Sequence, residues 1–177
     1  MNLSSLQSFS SAFKDCSKLT KVSFNGNYIA PRAYAFDNCE NLTEIKVIGN
    51  FNPTNSEFGG VAAGDWSGFK GCTSLTTFDL SECSVVNLSA GFMYIEEGTN
   101  KLPSVTTVKL GSGLTKLNLS NTNLFSNSSF HLEYAGSASI LMSEVTTTHS
   151  NVQRETLTCT TSGGSTLTFN STDDSWN

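Results

Sequence analysis

The chain has 177 residues, 15 Asp and Glu against 10 Lys and Arg, a net charge of −5, and only 14% charged residues. One domain is expected at this length, and the acidic balance without any Lys/Arg cluster argues against a nucleic-acid partner. No apolar run approaches a membrane span and no basic-then-apolar leader opens the chain, so no membrane insertion of this segment is expected; the Ser-, Thr- and Asn-rich surface suits an extracellular β-protein.

Leu6, Phe9 and Phe13 have the spacing of half a repeat unit, and Met1 opens directly onto it. The expectation is a segment whose signal sequence and upstream repeats lie outside it. An open N-terminal repeat edge of that kind promotes self-association. Three full units follow with one spacing: Phe13-x2-Cys16-x2-Leu19-x2-Val22-x-Phe24, Phe36-x2-Cys39-x2-Leu42-x2-Ile45-x-Val47 and Phe69-x2-Cys72-x2-Leu75-x2-Phe78-x-Leu80. Each unit can bury its apolar positions only by stacking on the next, which predicts a solenoid. Phe13, Cys16, Leu19, Phe36, Cys39, Leu42, Phe69, Cys72 and Leu75 form its buried ladder.

Two insertions interrupt the array. The first, near 50–66, is rich in turn formers and holds Phe51, Phe58 and Trp66; the second, near 93–101, holds Tyr94 and Glu96-Glu97. Both read as excursions from the solenoid wall. A weaker fourth unit runs from Phe92 through Leu102, Val105, Val108 and Leu110. Leu102 replaces a cysteine there, so that position wants a buried apolar group rather than a thiol. A fifth unit starts at Phe125 and reaches Phe130, Leu132 and Tyr134, which alternate as a strand does. The solenoid therefore spans 1–135 with about five units, and 136–177 forms a β-rich C-terminal cap or tail. Within the tail, Glu155–Thr161 and Ser165–Asn170 flank Ser162-Gly163-Gly164, a hairpin signal. Asp173-Asp174 falls at an expected frayed end.

The cysteines number five. Cys16, Cys39 and Cys72 occupy equivalent places on successive rungs about 4.8 Å apart, whereas bridged Cβ atoms lie about 3.8 Å apart on converging vectors. A buried ladder of free thiols is expected, with the pairing of Cys83 and Cys159 left open. No zinc spacing occurs, so neither metal nor cofactor is expected.

The passages Ala12-Phe13-Lys14-Asp15-Cys16-Ser17-Lys18-Leu19, Ala35-Phe36-Asp37-Asn38-Cys39-Glu40-Asn41-Leu42 and Gly68-Phe69-Lys70-Gly71-Cys72-Thr73-Ser74-Leu75 resemble the BspA-type leucine-rich repeats of bacterial surface proteins, and the resemblance runs from residue 3 to about 125. It implies a right-handed α/β-type horseshoe, mostly β and turns, with a parallel concave sheet and short helical turns on the convex side. It also implies export and a role in adhesion or host contact.

In each strand the residues beside the apolar pair face outward. They form the rows Lys21, Glu44, Thr77, Thr107 and Ser23, Lys46, Asp79, Lys109, whose mixed signs predict cross-strand pairing on a solvated face. Lys46, Asp79 and Lys109 are binding candidates on that face. Phe51, Phe58, Trp66 and Tyr94 are candidates in the insertions, because aromatics concentrate at interfaces. His131 and His149 have no acid–base or nucleophile spacing around them, and no phosphate loop or serine elbow is present. The expected function is a non-catalytic recognition or adhesion module of an exported or cell-surface protein, binding a protein or glycan. The alternatives are a structural spacer or stacking module of a larger surface or virion protein, and an accessory domain of a secreted hydrolase.

Overall fold

Alternating apolar pairs set strands, and the i, i+3 spacing of Phe, Cys and Leu sets turns between them. A computed structural model describes residues 11–25, 35–51, 71–87, 105–119, 131–148, 157–170 and 172–177. In chain order the elements are β1 (Lys21–Asn25), β2 (Glu44–Ile48), β3 (Thr77–Glu82), β4 (Val85–Asn87), β5 (Thr107–Leu110), β6 (Lys116–Asn118), β7 (His131–Tyr134), α1 (Ala138–Ser143), β8 (Thr146–Thr148), β9 (Thr158–Thr161), β10 (Thr166–Asn170) and β11 (Ser175–Trp176). An eight-stranded sheet takes the order β1-β2-β3-β5-β7-β9-β10-β11, and a three-stranded sheet the order β4-β6-β8. The large sheet is parallel from β1 to β9, then antiparallel through β10 and β11. The chain is a repeat solenoid built mostly of strands.

Parallel in-register pairing stacks equivalent residues. One inward column runs Val22, Ile45, Phe78, Val108, Leu132, Cys159, Leu167, with Cα partners at every step. All seven are buried, and each large apolar side chain withdrawn from water in this way contributes about 1.5–3 kcal/mol. Cys159 thus fills an aliphatic place in a strand, and no cysteine is disulfide-bonded. Phe36, Cys39, Leu42, Cys72 and Leu75 are buried, whereas Phe13, Cys16 and Leu19 are half-buried against the same core. Phe13 and Phe36 stack with ring centroids 5.3 Å apart. Phe69, also placed in the ladder, lies outside the described residues.

The described segments before β1 and β2 are pairs of β-turns. Cys16 N–H donates to the Phe13 carbonyl at 3.2 Å and Leu19 N–H to the Cys16 carbonyl at 3.0 Å, and Phe36, Cys39 and Leu42 repeat the pattern. The residue ahead of each of Cys16, Cys39 and Cys72 has a positive φ: 60° at Asp15, 58° at Asn38 and 76° at Gly71. Asp, Asn and Gly are the residues that tolerate this left-handed backbone best. At Gly71 a Cβ would also meet the Asn38 side-chain oxygen at 2.5 Å.

The thiols do more than fill space. Cys39 Sγ donates to the Phe13 carbonyl at 3.0 Å, and Cys72 Sγ to the Phe36 carbonyl at 3.1 Å. Each thiol therefore reaches back one unit, to a carbonyl that already accepts its own unit's cysteine amide. Cys83 repeats the arrangement at another corner, its amide on Leu80 and its Sγ 3.5 Å from the Val47 carbonyl. This corrects the expectation that the position wants only an apolar group. Such S–H···O contacts are individually weak, yet they satisfy buried carbonyl lone pairs where a Leu cannot.

A second regularity precedes the strands. Thr43 donates both N–H (2.9 Å) and Oγ1 (3.0 Å) to the Thr20 carbonyl, and Thr76 N–H and Thr106 N–H extend the row onto Thr43 and Thr76.

Between β2 and β3 the register shifts, so that Lys46 faces Asp79 but Ile48 faces Glu82. The extra residue on β3 makes a bulge, which bends the strand and re-aims the side chains after it. Asp79 Oδ1 accepts from Ser81 N–H at 3.0 Å and from Ser81 Oγ at 2.5 Å, holding the bulge in shape. On the neighbouring β5 side, a Cβ at Gly111 would overlap the Ser81 carbonyl, so only glycine lets the bulged backbone pass.

The expected hairpin forms, with β9 against β10 in antiparallel register and Gly164 at φ 77° in the turn. Where a frayed end is expected, residues 172–177 form a turn and β11. Asp173 Oδ1 accepts from Ser175 N–H at 3.2 Å and Ser175 Oγ at 2.6 Å, and Trp176 is buried, its ring 5.1 Å from Phe169. Trp176 Nε1 donates to Thr147 Oγ1 at 3.1 Å, tying β11 to β8.

Two outcomes follow from the corners. Burial pushes the Cys39 thiol up to about 11 and those of Cys72, Cys83 and Cys159 to about 12, from an ordinary 9.0. An unfolded chain therefore loses these protons above pH 9 while the fold retains them, so stability is full below pH 9 and falls as pH rises from 9 toward 12. The urea midpoint should decline over that interval, and iodoacetamide should label these four thiols only after denaturation; a bridged pair in the mass spectrum would overturn the free-thiol ladder. Gly71→Ala should cost about 1–3 kcal/mol through backbone strain, with Gly111→Ala costing more, both measured by urea denaturation.

Candidate functional site

The alternation that buries one side of each strand of the large sheet presents the other side to solvent. The two outward rows run Lys21, Glu44, Thr77, Thr107, His131, Thr158 and Ser23, Lys46, Asp79, Lys109, Glu133, Thr160, each residue the Cα partner of the next. The first four places of each row match those read from the spacing; β7 and β9 lengthen both.

Stacking places opposite charges side by side, but the pairs are not all between direct neighbours. Lys21 Nζ lies 3.3 Å from Glu44 Oε2. Lys46 is a Cα partner of Asp79, yet its Nζ pairs with Glu82 Oε1 at 2.6 Å. The bulge explains the exchange, because it brings Glu82 level with Ile48 and engages Asp79 with Ser81. The Glu82 carboxylate holds the Lys46 ammonium above its usual range, with help from Asp79 and Glu44. Further along, His131 Nε2 lies 3.5 Å from Glu133 Oε1. Lys109, flanked in register by Asp79 and Glu133, makes no ion pair among the described residues. Each neighbouring carboxylate has another partner.

A cleft of about 400 Å³ opens beside Lys109. It is lined by Ser81, Lys109, His131, Glu133 and Thr160 from the outward side and by Leu110, Tyr134, Ala135 and Thr161 at the strand ends. Tyr134 is buried, its hydroxyl has no hydrogen-bond partner among the described residues, and burial raises its ionisation above the ordinary value. The spacing signalled Lys109 and Asp79. It gave no role to His131, Glu133, Thr160 or Ser81, because the cleft needs the bulge in β3 and the entry of β9 beside β7.

Phe51 does not offer its ring to a partner. It is 1% exposed; its N–H donates to the Val85 carbonyl at 2.9 Å and its carbonyl accepts from Asn87 N–H at 2.6 Å. It pairs in parallel with Val86 and so adds a rung beside β4 in the second sheet. Asn50 Oδ1, accepting from Ser84 Oγ at 2.9 Å, pins the same turn. Phe58, Trp66 and Tyr94 lie outside the described residues. Among the described residues no cluster of His, Cys, Asp and Glu could hold a metal ion, and no helix is long and apolar enough to cross a membrane.

A family model for the BspA type leucine rich repeat region matches in six copies over residues 2–133. No curated protein and no solved structure matches the chain.

Phe51→Ala should remove about 3–5 kcal/mol of stability, the cost of truncating a fully buried aromatic. A loss under about 1 kcal/mol in urea denaturation, in the range of a surface substitution, would return Phe51 to the list of contact residues.

Proposed function

The chain belongs to the BspA-type leucine-rich repeat family, and from that premise we propose that it is a non-catalytic recognition module of an exported or cell-surface protein, binding a protein or glycan through the outward face of its large sheet. The observation that carries this reading is the cleft at Lys109, where a cation without an ion pair among the described residues adjoins hydroxyls and a carboxylate on a continuous, mostly parallel face. Convergent polar groups around a concavity mark ligand sites more often than plain surface does.

In this reading the large sheet is the concave wall of a right-handed horseshoe over residues 1–135. The strands β9, β10 and β11 cap its last rung, since a solenoid end otherwise exposes an apolar cross-section. The reversal of strand direction at β10 and the seating of Trp176 on Phe169 support that role. Phe58, Trp66 and Tyr94, outside the described residues, stay contact candidates of the insertions in this reading, because loops carry function.

Binding to an array of glycans and secreted host proteins tests the reading. The double variant Lys46→Glu/Lys109→Glu, both positions half-buried on the outward face, should keep its circular dichroism spectrum and lose binding roughly tenfold or more, as loss of a charge contact does. Unchanged binding by the folded variant would move the site off the sheet, and no binding by the parent chain would favour a spacer.

A further inference from the structure

The cleft beside Lys109 carries both signs of charge in direct register: Lys109 and Glu133 are Cα partners across β5 and β7. A ligand with a full charge would meet one like charge as closely as one unlike charge. A neutral ligand with adjacent donors and acceptors meets no such conflict.

The remaining lining sharpens the choice. Lys109 supplies only donors, Glu133 only acceptors, and Ser81 and Thr160 hydroxyls either. His131, 3.5 Å from Glu133, completes the polar rim. At the strand ends the cleft meets Ala135, which is exposed, beside the buried Leu110 and Tyr134. Polar groups along one side and the exposed Ala135 at the other complement a pyranose, whose hydroxyls ring its edge and whose C–H groups form its faces. A cleft of about 400 Å³ lies in the range of small-ligand sites and holds roughly one or two such rings.

Lys109 is also the group whose availability needs explaining. Asp79 is held by Ser81 at 2.5 and 3.0 Å, and Glu133 faces His131. The Lys109 ammonium pairs with neither carboxylate.

We propose that this cleft is a binding site for one neutral sugar residue of a glycan, with Lys109 donating to and Glu133 accepting from neighbouring sugar hydroxyls. The proposal rests on the recognition reading above and names the ligand class of that face.

The test is a ¹H–¹⁵N titration of the whole chain with glucose, galactose, mannose, N-acetylglucosamine and N-acetylgalactosamine, with sialic acid and glutamate as charged controls. At least one neutral sugar should shift the amides of Lys109, Glu133 and Thr160 at millimolar concentration, in the manner of a single small ligand. Lys109→Met, Glu133→Gln and Thr160→Ala should each weaken that binding roughly tenfold, the value of one good polar contact. Thr160→Ala alters no charge, so it keeps the test open if a charge variant fails to fold. No shift with any neutral sugar, or shifts with the charged controls alone, would overturn the proposal. If the sugars fail while the array still reports binding sensitive to Lys46→Glu/Lys109→Glu, this inference falls and the recognition reading stands; if both fail, both fall.

Discussion

The in-register parallel stacking of one unit on the next governs the rest of this molecule. Because each residue lies beside its own equivalent, every choice at one rung is imposed on its neighbours. Apolar positions become columns of buried side chains. Backbone carbonyls at the corners become columns too, and their spare lone pairs face the following unit. The cysteines answer that demand: the Sγ atoms of Cys39, Cys72 and Cys83 reach the carbonyls of Phe13, Phe36 and Val47. A thiol is small enough for the corner, apolar enough for the core, and still a donor. The same geometry that aligns the thiols keeps them from bridging.

Stacking also creates a difficulty on the solvent face, where charged residues form columns as readily as apolar ones. Alternation of sign is one answer, as in Lys21 beside Glu44. The bulge in β3 is another. One extra residue engages Asp79 with Ser81, delivers Glu82 to Lys46, and leaves Lys109 beside a cleft without an ion pair among the described residues. It also requires glycine at position 111, where the bulged carbonyl passes. A local irregularity in a regular array is where a solenoid can depart from its own repetition, which is why bulges tend to adjoin sites.

At the far end the strand direction reverses, and β10 and β11 depart from the parallel repeat. Trp176 spans the two sheets there, packing on Phe169 of β10 while its indole N–H reaches Thr147 of β8. A single aromatic with one polar tip suits this place, since its ring buries against the core and its donor meets a partly exposed hydroxyl.

The period, the inward columns and the outward rows are all legible in the residue spacing. Spacings of two and three residues translate directly into strand alternation and turn closure, and a repeat converts spacing into register. The hairpin around Gly163-Gly164 was legible for the same local reason. The second sheet was not, because β4, β6 and β8 have three residues each and carry too little alternation to show a period. The spacing therefore places Phe51 in a loop, although it is a rung beside β4. Nothing near Cys159 or Trp176 in sequence shows which column or which partner they meet. Lys46 was expected to pair along its row, and only the register shift in β3 decided for Glu82. Local periodicity fixes which face a side chain takes; the neighbour it finds across a bulge, a reversal or a second sheet depends on chain segments far away in sequence, and tertiary structure alone brings those together.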